Sequence, residues 1–319
     1  MCRMPDASTT SPEPLPSTRS TTSGSGLAAA AGAFAIWGLF PLYLRALHVV
    51  PALQIVAHRV AWACLFVLAW IAMRGELAGL RPVLASRALL LRLAAAAALI
   101  SINWLAYVWG VSAGRVVETS LGYFINPLVN VLLGVAVLSE RLNRAQWMSV
   151  ALAAGGVVYL TVAAGHLPWI ALTLALSFGT YGLIRKTAQV DALPGLAIET
   201  ALLAPLAAGY LVWCALRGDG AMGSQGGVID ALLVGSGVIT ALPLFLFAYG
   251  ARRLPYSMVG VLQYIGPSLQ LICALVVFGE PFGRDRAVGF ALIWSALLVY
   301  AADGLLRSRA AAPSPAAAG

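Results

Sequence analysis

The sequence predicts an all-α integral membrane protein: ten transmembrane helices arranged as two five-helix repeats of inverted topology. Three observations carry this. The 319 residues are 61% hydrophobic and only 10% charged, with mean hydropathy +0.87, whereas soluble domains carry about 25% charged residues. Apolar runs of the length that crosses a bilayer, about 20 residues, recur along the chain. The runs form two sets of five whose polar residues match at a nearly constant offset.

The ten runs are 27–45, 53–73, 91–113, 116–138, 145–163, 167–184, 195–216, 229–250, 256–279 and 287–306. The sixth is short, and Ala113 to Arg115 is a very tight turn between the third and fourth. No connection is long enough for a soluble domain. Residues 1–26 are rich in Ser, Thr and Pro and are expected to be a disordered tail. They lack the apolar stretch of a signal peptide. Residues 307–319 are expected to be disordered as well.

The net charge is +8. In a soluble protein that would suggest nucleic acid; here the charges sit in short loops, so they report orientation and no nucleic-acid partner is expected. With the N-terminus inside, fourteen Lys and Arg fall on the inner side, including Arg74, Arg81, Arg87, Arg92, Arg185 and Lys186. Five fall outside: Arg45, Arg115, Arg217, Arg284 and Arg286. Both termini are therefore expected in the cytoplasm. The four cysteines, Cys2, Cys64, Cys214 and Cys273, are too scattered for a metal pair or a redox motif, so neither a metal nor a disulfide is expected.

The repeat is legible at an offset of 140. Gly110 matches Gly250, Ile125 matches Ile265, Pro127 matches Pro267, Glu140 matches Glu280 and Arg144 matches Arg284. Only 8 of 58 aligned positions are identical, so the weight rests on which residues match and on span boundaries falling in step. Upstream, WGLFPLYLR (37–45) resembles FGTYGLIRK (178–186) at an offset of 141. Five spans are an odd number, so the second half enters the membrane from the opposite side. Inverted repeats of this kind are typical of secondary transporters.

Pro127 and Pro267 lie near the middle of the fourth and ninth spans and are expected to break them, freeing the carbonyls of Tyr123 and Gln263. In lipid those carbonyls need a neighbour, water or a ligand. Tyr123, Asn126, Gln263 and Tyr264 add polar groups at the same depth. A simple packing kink is the alternative.

Charges within spans are costly and point to function. His58 and Arg59 lie in the second span, and Glu199 occupies the position matching His58 in the seventh. Charge recognition or proton coupling is one reading. A satisfied structural pair, or Arg59 reaching toward head groups, is the other. Asn103, Trp104 and Tyr107 share a face of the third span, with Glu118 just past the tight turn; they suit an amphipathic small-molecule substrate or an interhelical hydrogen bond. Glu140 and Glu280 end their spans and are read as structural, meeting nearby N–H groups or Arg144 and Arg284.

No nucleotide-binding loop, zinc-protease or serine-hydrolase motif is present, so neither an enzyme nor a cofactor is expected.

Several stretches closely resemble one family. AHRVAW (57–62), INWLAYVWGV (102–111), ETSLGYFINPLVN (118–130), SERL (139–142), SFGTYGLIRK (177–186), IET (198–200), QYIGP (263–267) and GE (279–280) are similar to RarD-type proteins. These are EamA transporters of the drug/metabolite transporter superfamily. The resemblance spans residues 27 to about 306. It implies two EamA repeats, 27–165 and 166–306, a bacterial inner membrane, and transport of a metabolite or drug. The rival reading is a membrane sensor or accessory protein that binds a ligand without moving it. The sequence leaves a homodimer open.

Overall fold

A computed structural model describes residues 24–139, 142–188, 190–251, 253–254 and 262–310. Among these the chain is helical, without strands. Eleven α-helices follow one another: α1 Gly24–Ala46, α2 Ala52–Met73, α3 Arg81–Ala85, α4 Arg87–Ser112, α5 Val116–Leu138, α6 Arg144–Ala164, α7 Trp169–Ala188, α8 Ala192–Leu216, α9 Gly227–Ala251, α10 Ile265–Ile272 and α11 Arg284–Ala310. A 3₁₀ turn, Glu76–Leu80, precedes the five-residue α3, and α10 ends in a π-helical turn, Cys273–Val277.

Eight of the helices are long and apolar enough to cross a membrane. Trp169–Arg185 and Ile265–Val277 are apolar but shorter, and they correspond to the sixth and ninth runs. Residues 256–261 of the ninth run lie outside the described residues. The outer surface is strongly apolar: Leu91 is 72% exposed, Leu206 74% and Leu216 84%, while Glu199 is 1% exposed. Water would penalise that inverted arrangement, and hydrocarbon favours it.

Packing follows the small residues. α1 lies against α9 and α10, and α7 lies against α4 and α5. α2 packs on both α8 and α9, and α6 packs on α11. Gly38 lets α1 approach α10, because a Cβ there would sit 2.9 Å from the carbonyl oxygen of Gly266 and 2.7 Å from Leu269 Cβ. Gly179, its match at offset 141, lets α7 approach α5, where a Cβ would meet Val129 at 2.8 Å. Without a hydrophobic drive between helices in lipid, such close backbone approaches supply the packing.

Helix ends are satisfied by local caps and turns and, at α5 and α7, by side chains from elsewhere in the chain. Asn143 and Gln146 form a capping box at the start of α6. The turn between α4 and α5 closes with Gly114 at φ +67° and Arg115 N–H donating to the Gly110 carbonyl at 2.8 Å.

Glu280 meets backbone N–H groups as expected, but distant ones rather than those of its own loop. The helix has already ended at Val277 and Gly279 turns the chain at φ +65°, so the carboxylate reaches across the molecule. It accepts from the N–H of Val116 and, at 3.0 Å, from that of Val117. A negative group at a helix N-terminus is favourable, which removes the conflict expected of one at a C-terminus. Burial pushes this carboxyl up from its ordinary range, while the two amides, Arg286 and Arg115 pull it back. Glu280→Ala leaves both donors unpaired and should cost about 1–2 kcal/mol; thermal unfolding in lipid would show it, with Glu280→Gln losing less. Glu140 lies outside the described residues.

The expected break at Pro127 requires correction. α5 runs through it as one helix from Val116 to Leu138. The fixed φ of proline fits a helix, and in a packed span the single lost donor is tolerated. In the ninth run, Gln263 and Tyr264 do form a turn. Pro267 falls in the first turn of α10, where an N–H has no intrahelical partner in any case. Its carbonyl accepts from Ser120 Oγ at 3.2 Å.

Candidate functional site

Arg59 is the centre of the site. It lies on α2 and is 7% exposed. Its Cζ sits over the ring of Phe40 from α1 at 4.8 Å and over that of Trp104 from α4 at 4.3 Å. Its Nε donates to Thr240 Oγ1 on α9 at 2.8 Å. Thr240 in turn donates to the Ser236 carbonyl at 2.8 Å, so the hydroxyl is fixed in direction. The ring systems of Tyr43, Tyr107 and Tyr123 lie within electrostatic reach. Among the described residues no carboxylate pairs with this guanidinium. A desolvated charge with aromatic faces gains cation–π energy, yet still lacks a counter-charge.

An aromatic seam leads away from it. Phe40 stacks on Tyr107 at 5.9 Å, and Tyr107 meets Tyr123 at 5.7 Å. Tyr123 meets Phe178 at 6.3 Å and Phe178 meets Tyr181 at 5.9 Å. The seam ends at Glu199 on α8, which accepts from the Tyr181 hydroxyl at 3.1 Å. Glu199 also faces Arg185 Nη1 at 3.4 Å, an ion pair without hydrogen-bond alignment. Arg185 meanwhile donates to the Asp191 carbonyl at 3.1 Å, closing the α7–α8 connection.

The sequence-derived residues divide on inspection. Arg59, Trp104, Tyr107 and Tyr123 come together. Asn103 is turned to structure: its Nδ2 donates to the Leu174 carbonyl and to Ser177 Oγ, both at 3.0 Å, and its Oδ1 accepts from Tyr123 at 3.4 Å. It clamps α4 to α7. Glu118 is also engaged, paired with Arg115 at 2.6 Å and accepting from the Ile170 N–H at 3.0 Å, which caps α7. For both residues the structure shows the interhelical fastening that the sequence left open beside a ligand contact, with backbone groups of α7 among their partners.

His58 neighbours Arg59 in sequence, but successive helical residues do not share a face. The buried Nδ1 of His58 has no hydrogen-bond partner among the described residues. Asn126 is buried, with an unpartnered Oδ1. Gln263 and Tyr264 are half-buried in their turn.

Sequence reasoning missed Phe40, Thr240, Phe178, Tyr181, Arg185 and Gln270. The offset match of 37–45 with 178–186 places Phe40 against Tyr181 and contained a signal for both. A lone Thr in an apolar run carries none. Gln270 donates to the Trp37 carbonyl at 3.2 Å while its buried Oε1 has no partner.

The chain resembles known proteins over most of its length. Residues 24–162 match the model of the EamA-like transporter family. An uncharacterized transporter of Vibrio cholerae is 43% identical over 286 residues, covering 90% of this chain and 95% of its own length. Protein RarD of Escherichia coli K12 is 40% identical over 284 residues, covering 89% and 96% respectively. A protein of known crystal structure, 21% identical, shares the fold with a TM-score of 0.56 over 86% of this chain and 96% of its own. With its membrane-length helices and its relatedness to transporters at this identity, the chain belongs to the EamA family as a RarD-type, multi-pass membrane transporter.

Proposed function

We propose that this transporter is a secondary permease or exporter. It moves a small metabolite or drug by alternating access between two inverted repeats, residues 27–165 and 166–306. The eight long helices and the two shorter apolar ones supply ten spans. Helix packing supports the repeat. Exchanging α1 with α7, α2 with α8, α4 with α9, α5 with α10 and α6 with α11 maps the pair α1–α9 onto α7–α4, and α1–α10 onto α7–α5. The pairs α2–α8, α5–α10 and α6–α11 map onto themselves. Such an exchange is what a two-fold axis in the membrane plane requires. The excess of Lys and Arg on one side supports cytoplasmic termini, and the bacterial transporters it is related to support an inner membrane.

The observation that carries the ligand site is Arg59: buried, faced by two aromatic rings and, among the described residues, without a carboxylate partner. The ligand supplies the missing negative group, and Trp104, Tyr107 and Tyr123 contact its apolar body. Glu199, at the other end of the aromatic seam, carries the coupled proton. Glu199→Gln should therefore abolish the response of transport to a pH gradient while leaving ligand affinity within about threefold, since the residue touches α7 rather than Arg59.

The test is flux. Proteoliposomes loaded with a bacterial metabolite extract and chloramphenicol are expected to release one anionic compound class, identified by mass spectrometry against protein-free liposomes. Saturable binding with no release in either direction, with or without a pH gradient, would contradict transport and favour a ligand sensor.

A further inference from the structure

The Arg59 guanidinium is held in one orientation. Its Cζ is fixed over two rings, Phe40 and Trp104, and Nε is committed to Thr240. The two terminal nitrogens make no hydrogen bond among the described residues, although the side chain is 7% exposed. What remains for a ligand is the Nη1–Nη2 edge, a planar fork of parallel donors. The Tyr107 ring stacks on Phe40, one of the two rings under the guanidinium, and its buried hydroxyl has no partner among the described residues.

The geometry points to a site selective for a planar carboxylate over tetrahedral oxyanions, with Thr240 as the positioning residue that sets this selectivity. It rests on the reading of Arg59 as the ligand's counter-charge and goes further, to the shape of the charged group. A carboxylate meets a fixed guanidinium edge with two parallel N–H···O bonds in one plane. A sulfonate or phosphonate places its third oxygen out of that plane, toward the rings. The Tyr107 hydroxyl can donate to the remaining lone pair of a carboxylate oxygen. Were Arg59 free to rotate, it could turn to meet either shape, and the discrimination would be lost. Thr240 prevents that rotation, because its own proton is committed to the Ser236 carbonyl and its lone pairs face Nε.

The full-length protein in lipid nanodiscs is titrated calorimetrically with benzoate, benzenesulfonate and benzamide at fixed salt. These share one ring and differ in the shape or charge of the head. Benzoate is expected to bind about tenfold tighter than either of the others. Thr240→Val is expected to weaken benzoate about tenfold and to change benzenesulfonate by less than about twofold. Thr240→Ser keeps the hydroxyl and should retain the wild-type preference, which separates positioning from a packing defect. Equal binding of benzoate and benzenesulfonate would overturn the proposal. So would an unchanged preference in Thr240→Val, or no benzoate binding by the folded protein up to about 10 mM, a concentration at which even a millimolar site is mostly filled. Failure of the underlying reading looks different: Arg59→Ala would then bind benzoate as wild type does. Loss of both anions in Arg59→Ala, with no preference between them in the wild type, would overturn the planar selectivity alone.

Discussion

Replacing Arg59 with Ala should reduce ligand affinity about a hundredfold and bring transport close to the rate of protein-free liposomes. A hydrogen bond to a charged group contributes about 1.5–3 kcal/mol, and a bidentate contact removes two at once. The variant should still insert and fold. Among the described residues Arg59 has no carboxylate partner to leave behind, and losing its bond to Thr240 exposes no second buried charge. Arg59→Lys should recover only part of the affinity, because an ammonium restores the charge but not the fork. Folding would be followed by thermal unfolding and binding by calorimetry. An Arg59→Ala protein that transports normally would remove the site from the account.

The largest expected effect on stability comes from a residue with no side chain. Gly237 on α9 faces the backbone of α2. A Cβ there would lie 2.6 Å from both the carbonyl carbon and the oxygen of Trp62, and 3.0 Å from Ala63 N. None of these atoms can rotate away. Gly237→Ala must therefore push α9 off α2, at about 1–3 kcal/mol or more. The same movement carries Thr240, one helical turn further on, away from Arg59. Lower thermal stability and weaker ligand binding should appear together. Substitution of Gly182, where a Cβ meets nothing within 4 Å, should show neither.

Much of this was readable in the sequence, for physical reasons. Membrane spans follow from length and apolarity, both of which are local. Arg59 and Glu199 stand out because an intramembrane charge is costly, so its presence needs a cause. A few matched residues suggested the repeat, but nothing in 37–45 or 178–186 marked Gly38 and Gly179 as points of close helix approach. The rest depended on contacts distant in sequence. Thr240 is 181 residues from Arg59, and Glu280 is 164 from Val116; nothing in either neighbourhood names its partner. Asn103 and Glu118 had the composition of ligand groups but were taken by backbone donors and acceptors of α7. At Pro127 the proline rule held for one hydrogen bond and not for the helix, which continued through it.

In the proposed mechanism one buried site, built around Arg59, is presented alternately to the two sides of the membrane. Counterflow tests it most directly. Proteoliposomes preloaded with an excess of the unlabelled compound identified in the flux experiment are given the labelled compound outside at trace concentration. The account predicts that preloading accelerates entry and drives labelled compound transiently above its external concentration, and that Arg59→Ala abolishes both effects. Entry that ignores the internal compound, or that persists unchanged in Arg59→Ala, would contradict it.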